Sequence, residues 1–172
     1  PFPDGTFDHA LSLLVLHFVP RTDQAVAEMK RVTRPGGTVA AAVWDIRGGV
    51  VAQRMFLDTA AVLDPKAGEA RARQMTRPMT RPGELEMAWR AAGLQHVQAT
   101  SIMTRMNYAS FDDYWAPFLG RQAGAAAYVA TLPPERVAVL KEHVQRAYLD
   151  GDGDGPRSYM AVAWAVKGTV AR

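Results

Sequence analysis

An α/β fold, in which buried strands alternate with helices, is what this sequence predicts. Three observations carry that reading. Two apolar runs, Ala10 to Val15 and Thr38 to Trp44, flank a segment of helical periodicity and an Arg34-Pro35-Gly36-Gly37 turn. These runs, and a third from Ser158 to Val166, are continuously apolar rather than alternating, which suits strands covered on both faces. Strand, helix, turn and strand also follow one another with almost no spacer, the layout of a right-handed strand-helix-strand unit. Ligand-facing loops are then expected at the strand ends.

Composition narrows the classes. At 172 residues the chain is one domain or most of one, and 48% hydrophobic content is enough to bury a core. No apolar run approaches the ~20 residues that span a bilayer. The opening reads as a polar turn, not as a basic segment followed by an apolar one. With no cysteine there can be no disulfide, thiolate nucleophile or cysteine-zinc site, and a cytoplasmic location is the expectation. The net charge of +3 is spread without a basic stripe interleaved with aromatics, so nucleic acid is not the expected partner.

Taken in order, Asp4-Gly5 is a turn and residues 9–15 are the first strand. Thr22 or Asp23 caps a helix whose inward stripe is Ala25, Met29 and Val32. Pro35 stops that helix, Gly36 and Gly37 allow the reversal, and the second strand follows to Trp44. Gly48-Gly49 is a spacer. Residues 50–63 are helical, with Met55, Phe56, Ala60 and Leu63 inward. The polar stretch from Pro65 to Thr80, with Thr-Arg-Pro at 76–78 and again at 80–82, reads as a loop or lid. Thr80 caps the next helix, with stripe Leu85, Ala88, Trp89 and Ala92, and Gly93 ends it. Residues 95–104 alternate in polarity, as an edge strand does. Ser110 with Asp113 forms a capping box ahead of Phe111, Tyr114, Trp115 and Phe118, and Pro117 limits that helix. An Ala-rich short helix is expected over 121–130. A clear helix spans 135–149, with Val137, Leu140, Val144, Ala147 and Tyr148 on one face. Residues 150–156 turn into the last strand.

The opening unit resembles class I S-adenosylmethionine-dependent methyltransferases of the small-molecule type. Pro1-Phe2-Pro3-Asp4-Gly5-Thr6-Phe7-Asp8 looks like the turn leading into that family's fourth strand, and Leu16-His17 like the pair that ends it. Met29-Lys30-Arg31-Val32-Thr33-Arg34-Pro35-Gly36-Gly37 looks like the approach to the fifth strand. Leu85 to Leu94 resembles the helix before the sixth, and 158–166 the antiparallel seventh. The fold implied is a partial Rossmann-like sheet of strands four to seven. Its core would be 1–45, 80–104 and 158–167, with variable helical insertions at 46–79 and 105–150 on the substrate side. No Gly-x-Gly-x-Gly loop follows a first strand, and no acidic residue closes a second strand to hold a ribose. The expectation is therefore a single domain truncated at its amino end, whose parent enzyme transfers methyl groups from S-adenosylmethionine to a small-molecule substrate.

The resemblance implies that Phe2 and Pro3 border the adenine pocket, and that Ser12, Leu13, Leu14 and His17 lie near the methyl end of the cofactor. His17 is the candidate catalytic base or substrate contact; it equally fits a histidine that caps a strand. Asp45, just past the second strand, is a candidate substrate ligand or a turn former. Tyr114 and Trp115 are candidates to line an apolar substrate pocket, or core. Arg71, Arg73, Arg77 and Arg81 could clamp an anion or form a solvated face. No metal site is expected: Asp150, Asp152 and Asp154 begin like a calcium loop, but its twelfth position is Ala161, not glutamate. The alternative to an enzyme is a catalytically silent interaction module. In that reading the edge of the first strand is unpaired and makes a homo-oligomer through residues 9–15. A nicotinamide-dependent enzyme is a third reading without a fingerprint in the sequence.

Overall fold

The computed structural model describes residues 2–120 and 125–172. The chain divides into two compact units, one formed by Pro1–Gly49, Arg77–Met103 and Val162–Arg172, the other by Val50–Thr76 and Thr104–Ala161. No helix among the described residues is long and apolar enough to cross a membrane.

The strands are β1 (Phe7–Leu13), β2 (Thr33–Trp44), β3 (Gln95–Tyr108) and β4 (Arg157–Thr169), in the spatial order β1-β2-β4-β3. β2 pairs parallel with β1 and antiparallel with β4. The strand that alternates in sequence, β3, lies at a sheet edge as its pattern predicts, and the last strand is antiparallel, as the resemblance implies. β3 and β4 each contribute residues to both units.

In the first unit, helices α1 (Thr22–Val32) and α4 (Glu84–Ala91) cover one face of the sheet. Val39 and Val43 of β2 and Val26 of α1 are fully enclosed there, with Leu85 and Trp89 of α4. Trp89 also donates its indole N–H to the Val39 carbonyl at 2.9 Å, which fixes the helix against the central strand. The other face is open. Leu11 and Leu13 of β1 are 74% and 72% exposed. The expectation that β1 is covered on both faces is thus overturned: continuous apolarity marks a strand suited to two covers, and only one is present among the described residues.

The Pro-Gly-Gly turn is built into β2 as an irregularity. Phe7 pairs with Thr33 but His9 pairs with Thr38, so the residues between bulge out of register. Gly37 is required there, because a Cβ would come within 2.6 Å of the Asp8 carbonyl oxygen and of the Thr33 methyl. Gly36, at φ +78, donates its N–H to Val170.

Two capping assignments are corrected. The α1 cap position is Arg21, with no side-chain cap, and Asp23 inside the first turn instead pairs with Arg21 at 2.9 Å. Thr80 does not cap α4, whose cap is Gly83 at φ +82. Thr80 is fully buried, and its hydroxyl donates to the Arg77 carbonyl while its own carbonyl accepts from Trp164. It locks the turn ahead of the helix.

The second unit is helical around an aromatic core. It holds α2 (Val51–Leu63), α3 (Pro65–Met75), α5 (Phe111–Trp115), α6 (Ala125–Val129) and α7 (Pro134–Leu149). The expected loop at 65–80 is largely α3. Asp64 accepts from the Lys66 N–H and Pro65 opens the first turn, a start signal that the polar composition hides. Ser110 caps α5 as expected, accepting from the Asp113 N–H, and Asp113 accepts in return from Ala109 rather than Ser110. A short 3-10 turn, Ala116–Leu119, follows at Pro117. Of the Ala-rich helix expected at 121–130, residues 121–124 lie outside the described residues.

Replacing Trp89 by phenylalanine removes the donor to Val39 and is expected to lower stability by about 1–3 kcal/mol. Met87→Ala, on the exposed side of the same helix, should stay within about 0.5 kcal/mol of the wild type. Urea unfolding followed by circular dichroism checks both.

Candidate functional site

Because β1 and β2 run parallel, their carboxyl ends lie together. The chain leaves β1 through Leu14, which has φ +59 and donates its N–H to Ala42, and enters a short 3-10 turn, Leu16–Phe18. It leaves β2 at Asp45. The Asp45 Oδ1 accepts from the N–H groups of Arg47 and Gly48, both at 3.1 Å, and its carbonyl accepts from Gly49. Asp45 is therefore a turn former: one carboxylate oxygen is already engaged by the backbone.

His17 is only 3% exposed, and its Nδ1 has no hydrogen-bond partner among the described residues. Its ring lies 4.1 Å from that of Phe18, centroid to centroid. The guanidinium of Arg77 stacks over the other aromatic partner, 4.3 Å from the Phe18 ring centre. Burial, with the Arg77 charge adding to it, pushes the His17 pKa down to about 4. The imidazole is thus neutral near pH 7 and offers a buried nitrogen that nothing in the described chain uses.

Ser12, Leu13 and Leu14 lead into this end. Phe2 and Pro3, which the resemblance assigns to the adenine pocket, lie elsewhere. Arg31 donates to the Phe2 carbonyl at 2.8 Å and pairs with Asp4, and the Gly5 N–H bonds to the Arg31 carbonyl. This ties the opening turn to the carboxyl end of α1, beside the Phe7–Thr33 pairing where β1 begins. The length of β1 separates that turn from Leu13 by about 20 Å at ~3.3 Å per residue. The structure places Phe2 and Pro3 at the opposite end of the sheet from His17.

Tyr114 and Trp115 are 1% and 2% exposed, in the core of the second unit. The Tyr114 hydroxyl donates to the Ala52 carbonyl at 2.8 Å, and its ring meets Tyr108 edge-on. Burial holds its phenol pKa well above the ordinary value. Neither side chain presents a surface to a ligand in this arrangement. Nothing in the sequence separates Arg77 from its neighbouring arginines or marks Phe18 as its partner. The local signal was the Leu16-His17-Phe18 run at a strand end, but the partner from residue 77 is visible only in three dimensions.

A groove of about 650 Å³ lies on the open face of the sheet, bordered by Leu11, Leu13, Ala40, Ala42, Thr100 and Ile102 among others. Its lining is mainly apolar and reaches Ser12 and Leu13 at the carboxyl end of β1.

Residues 1–41 match the family model described as "Methyltransferase domain". A candidate methyltransferase from Bacillus halodurans shares the fold with a TM-score of 0.53 and 15% identity, over 100% of this chain and 68% of that one. The YcgJ protein of Bacillus subtilis gives 0.51 and 16%, over 100% and 67%. Phosphoethanolamine N-methyltransferase 2 of Haemonchus contortus, solved with phosphomonomethylethanolamine and S-adenosylhomocysteine, gives 0.50 and 12%, over 100% and 35%. The chain thus spans about two thirds of the length of the first two and about a third of the last. At these identities the likeness is one of fold.

The depressed His17 pKa has a direct test. Nuclear magnetic resonance titration of the imidazole should give a midpoint near 4 rather than 6.5. Between those values the unfolded chain binds more protons than the folded one, so the His17 contribution makes stability rise with pH through that window and fall on acidification. His17→Gln should flatten this part of the pH dependence, and a midpoint near 6.5 would contradict the burial argument.

Proposed function

We propose that this chain, which has the class I methyltransferase fold, supplies the carboxyl-end half of a site for S-adenosylmethionine-dependent methyl transfer to a small-molecule acceptor. The observation that supports it most is the parallel pair β1–β2, ending in an enclosed histidine with an unused nitrogen and lying within the segment that matches a methyltransferase domain. Ser12, Leu13, Leu14 and His17 are the residues we assign to the methyl end of the cofactor. The two units fit the division into a core and helical insertions, and a cytoplasmic place of action fits a chain without cysteine.

Bound S-adenosylmethionine would supply an activated methyl group and a leaving group that departs without protonation. The protein's task is then alignment and the exclusion of water. His17 can hydrogen-bond an acceptor through Nε2, since Nδ1 is enclosed. A pKa of about 4 makes it a weak proton acceptor near pH 7, since a general base works best with a pKa close to the working pH. We therefore assign His17 a positioning hydrogen bond instead of proton abstraction. Asp45 shapes the adjoining turn.

Calorimetry with S-adenosylhomocysteine tests this on the chain itself and on the chain extended at its amino end to whatever its gene encodes. Saturable binding by the extended protein, weakened by His17→Ala, is the expected result. Absence of binding by both proteins would refute the proposal.

A second reading, self-association, is favoured by the unpaired edge of β1 and the exposed Leu11 and Leu13 beside it. On this reading the chain by itself sediments as a dimer, and the double substitution Leu11→Lys, Leu13→Lys returns it to a monomer. A monomer at all concentrations in sedimentation velocity would eliminate this reading.

A further inference from the structure

Four arginines fall in the polar stretch from residue 71 to residue 81, and the structure treats one of them differently. Arg71 pairs with Asp58 at 2.5 Å, Arg73 with Glu69 at 3.7 Å and Arg81 with Glu84 at 3.7 Å. Arg77 has no carboxylate within ion-pair distance among the described residues. It is half-buried nonetheless, and lies on the face of Phe18. Its backbone is held by the buried Thr80 hydroxyl, which donates to the Arg77 carbonyl at 2.8 Å. A guanidinium stacked on a ring keeps its N–H donors in its own plane, pointing outward at the rim.

Withdrawing a cation from water without a partner is unfavourable. That burial lowers the Arg77 pKa from its ordinary value. Next to it, through Phe18, lies the enclosed His17 with its unpartnered Nδ1. Arg77 is thus a half-buried cation without an anionic partner among the described residues. An oxyanion at the rim of Phe18 would supply that partner, while the enclosed Nδ1 of His17 stays out of its reach.

We propose that Arg77, laid on Phe18 beside His17, receives a carboxylate or phosphate group of the methyl acceptor. This rests on the methyltransferase reading and narrows its acceptor to small molecules carrying an acid. Guanidinium and oxyanion meet through two parallel N–H···O bonds, which fix direction as well as distance. The amino-acid carboxylate of the sulfonium cofactor offers the same chemistry, so the test has to separate the two sources.

The probes are inorganic phosphate and acetate, titrated at constant ionic strength against chloride. The readouts are the Arg77 Nε–H and His17 imidazole resonances. Both should shift saturably. Arg77→Gln should weaken phosphate binding at least tenfold, Arg77→Lys should keep a weaker response, and Arg81→Gln should change nothing. An unsaturable response, or an equal one in Arg77→Gln, overturns the anion site. In a second arm, Arg77→Gln should bind S-adenosylhomocysteine within threefold of the wild type. A tenfold loss there assigns the guanidinium to the cofactor and overturns the acceptor assignment. A phosphate response with no S-adenosylhomocysteine binding by either the chain or its amino-extended form keeps the anion site but refutes the methyltransferase reading on which the acceptor assignment rests.

Discussion

The first unit depends on β2 being the paired centre of its sheet. One edge of that strand holds β1 in parallel and the other holds β4 in antiparallel register. One of its faces carries Val39 and Val43 into the core beneath α1 and α4. The parallel pairing with β1 sends both chains out at the same end, which brings Leu14, His17 and Asp45 to one end of the sheet. A register shift of one residue would turn the valines to the open face, so burial of that pair and placement of the site are one constraint. The bulge at Gly36 and Gly37 lets the parallel register begin while leaving the strand straight beyond Thr38.

The second unit is organised differently. Phe56, Phe111, Tyr114, Trp115 and Tyr148 are nearly inaccessible, and Phe56 stacks on Phe118 at 4.1 Å. Aromatic contacts of this kind, mostly tilted or edge-on, define the helix packing more narrowly than aliphatic ones do. Polar tips are satisfied by backbone: Tyr114 by Ala52, Tyr148 by Gly155. Surface ion pairs such as Arg146–Glu142 and Arg73–Glu69 follow helical spacing and contribute little individually.

Electrostatics at the strand ends follow from the same packing. Enclosure makes His17 neutral, and Arg77 remains beside it because Phe18 gives the guanidinium an aromatic face in place of water. A pKa of about 4 keeps the imidazole neutral near pH 7.

The edge position of β3, the inward face of α4 and most of that of α7 were legible in the sequence, because hydrophobic period and turn residues act locally. The antiparallel last strand came from the family resemblance, Val26 of α1 was missed, and Ala147 of α7, expected inward, is exposed. Helix α3 was missed, since a polar composition masked the local start signal of Asp64 and Pro65. His17 stood out by its place after an apolar run. Three properties belong to the tertiary structure alone: the open face of β1, the separation of Phe2 and Pro3 from His17, and the difference between Arg77 and the other three arginines. Each depends on which distant segment covers, pairs with or approaches a residue. Local sequence determines what a segment can bury, and long-range packing decides what actually covers it.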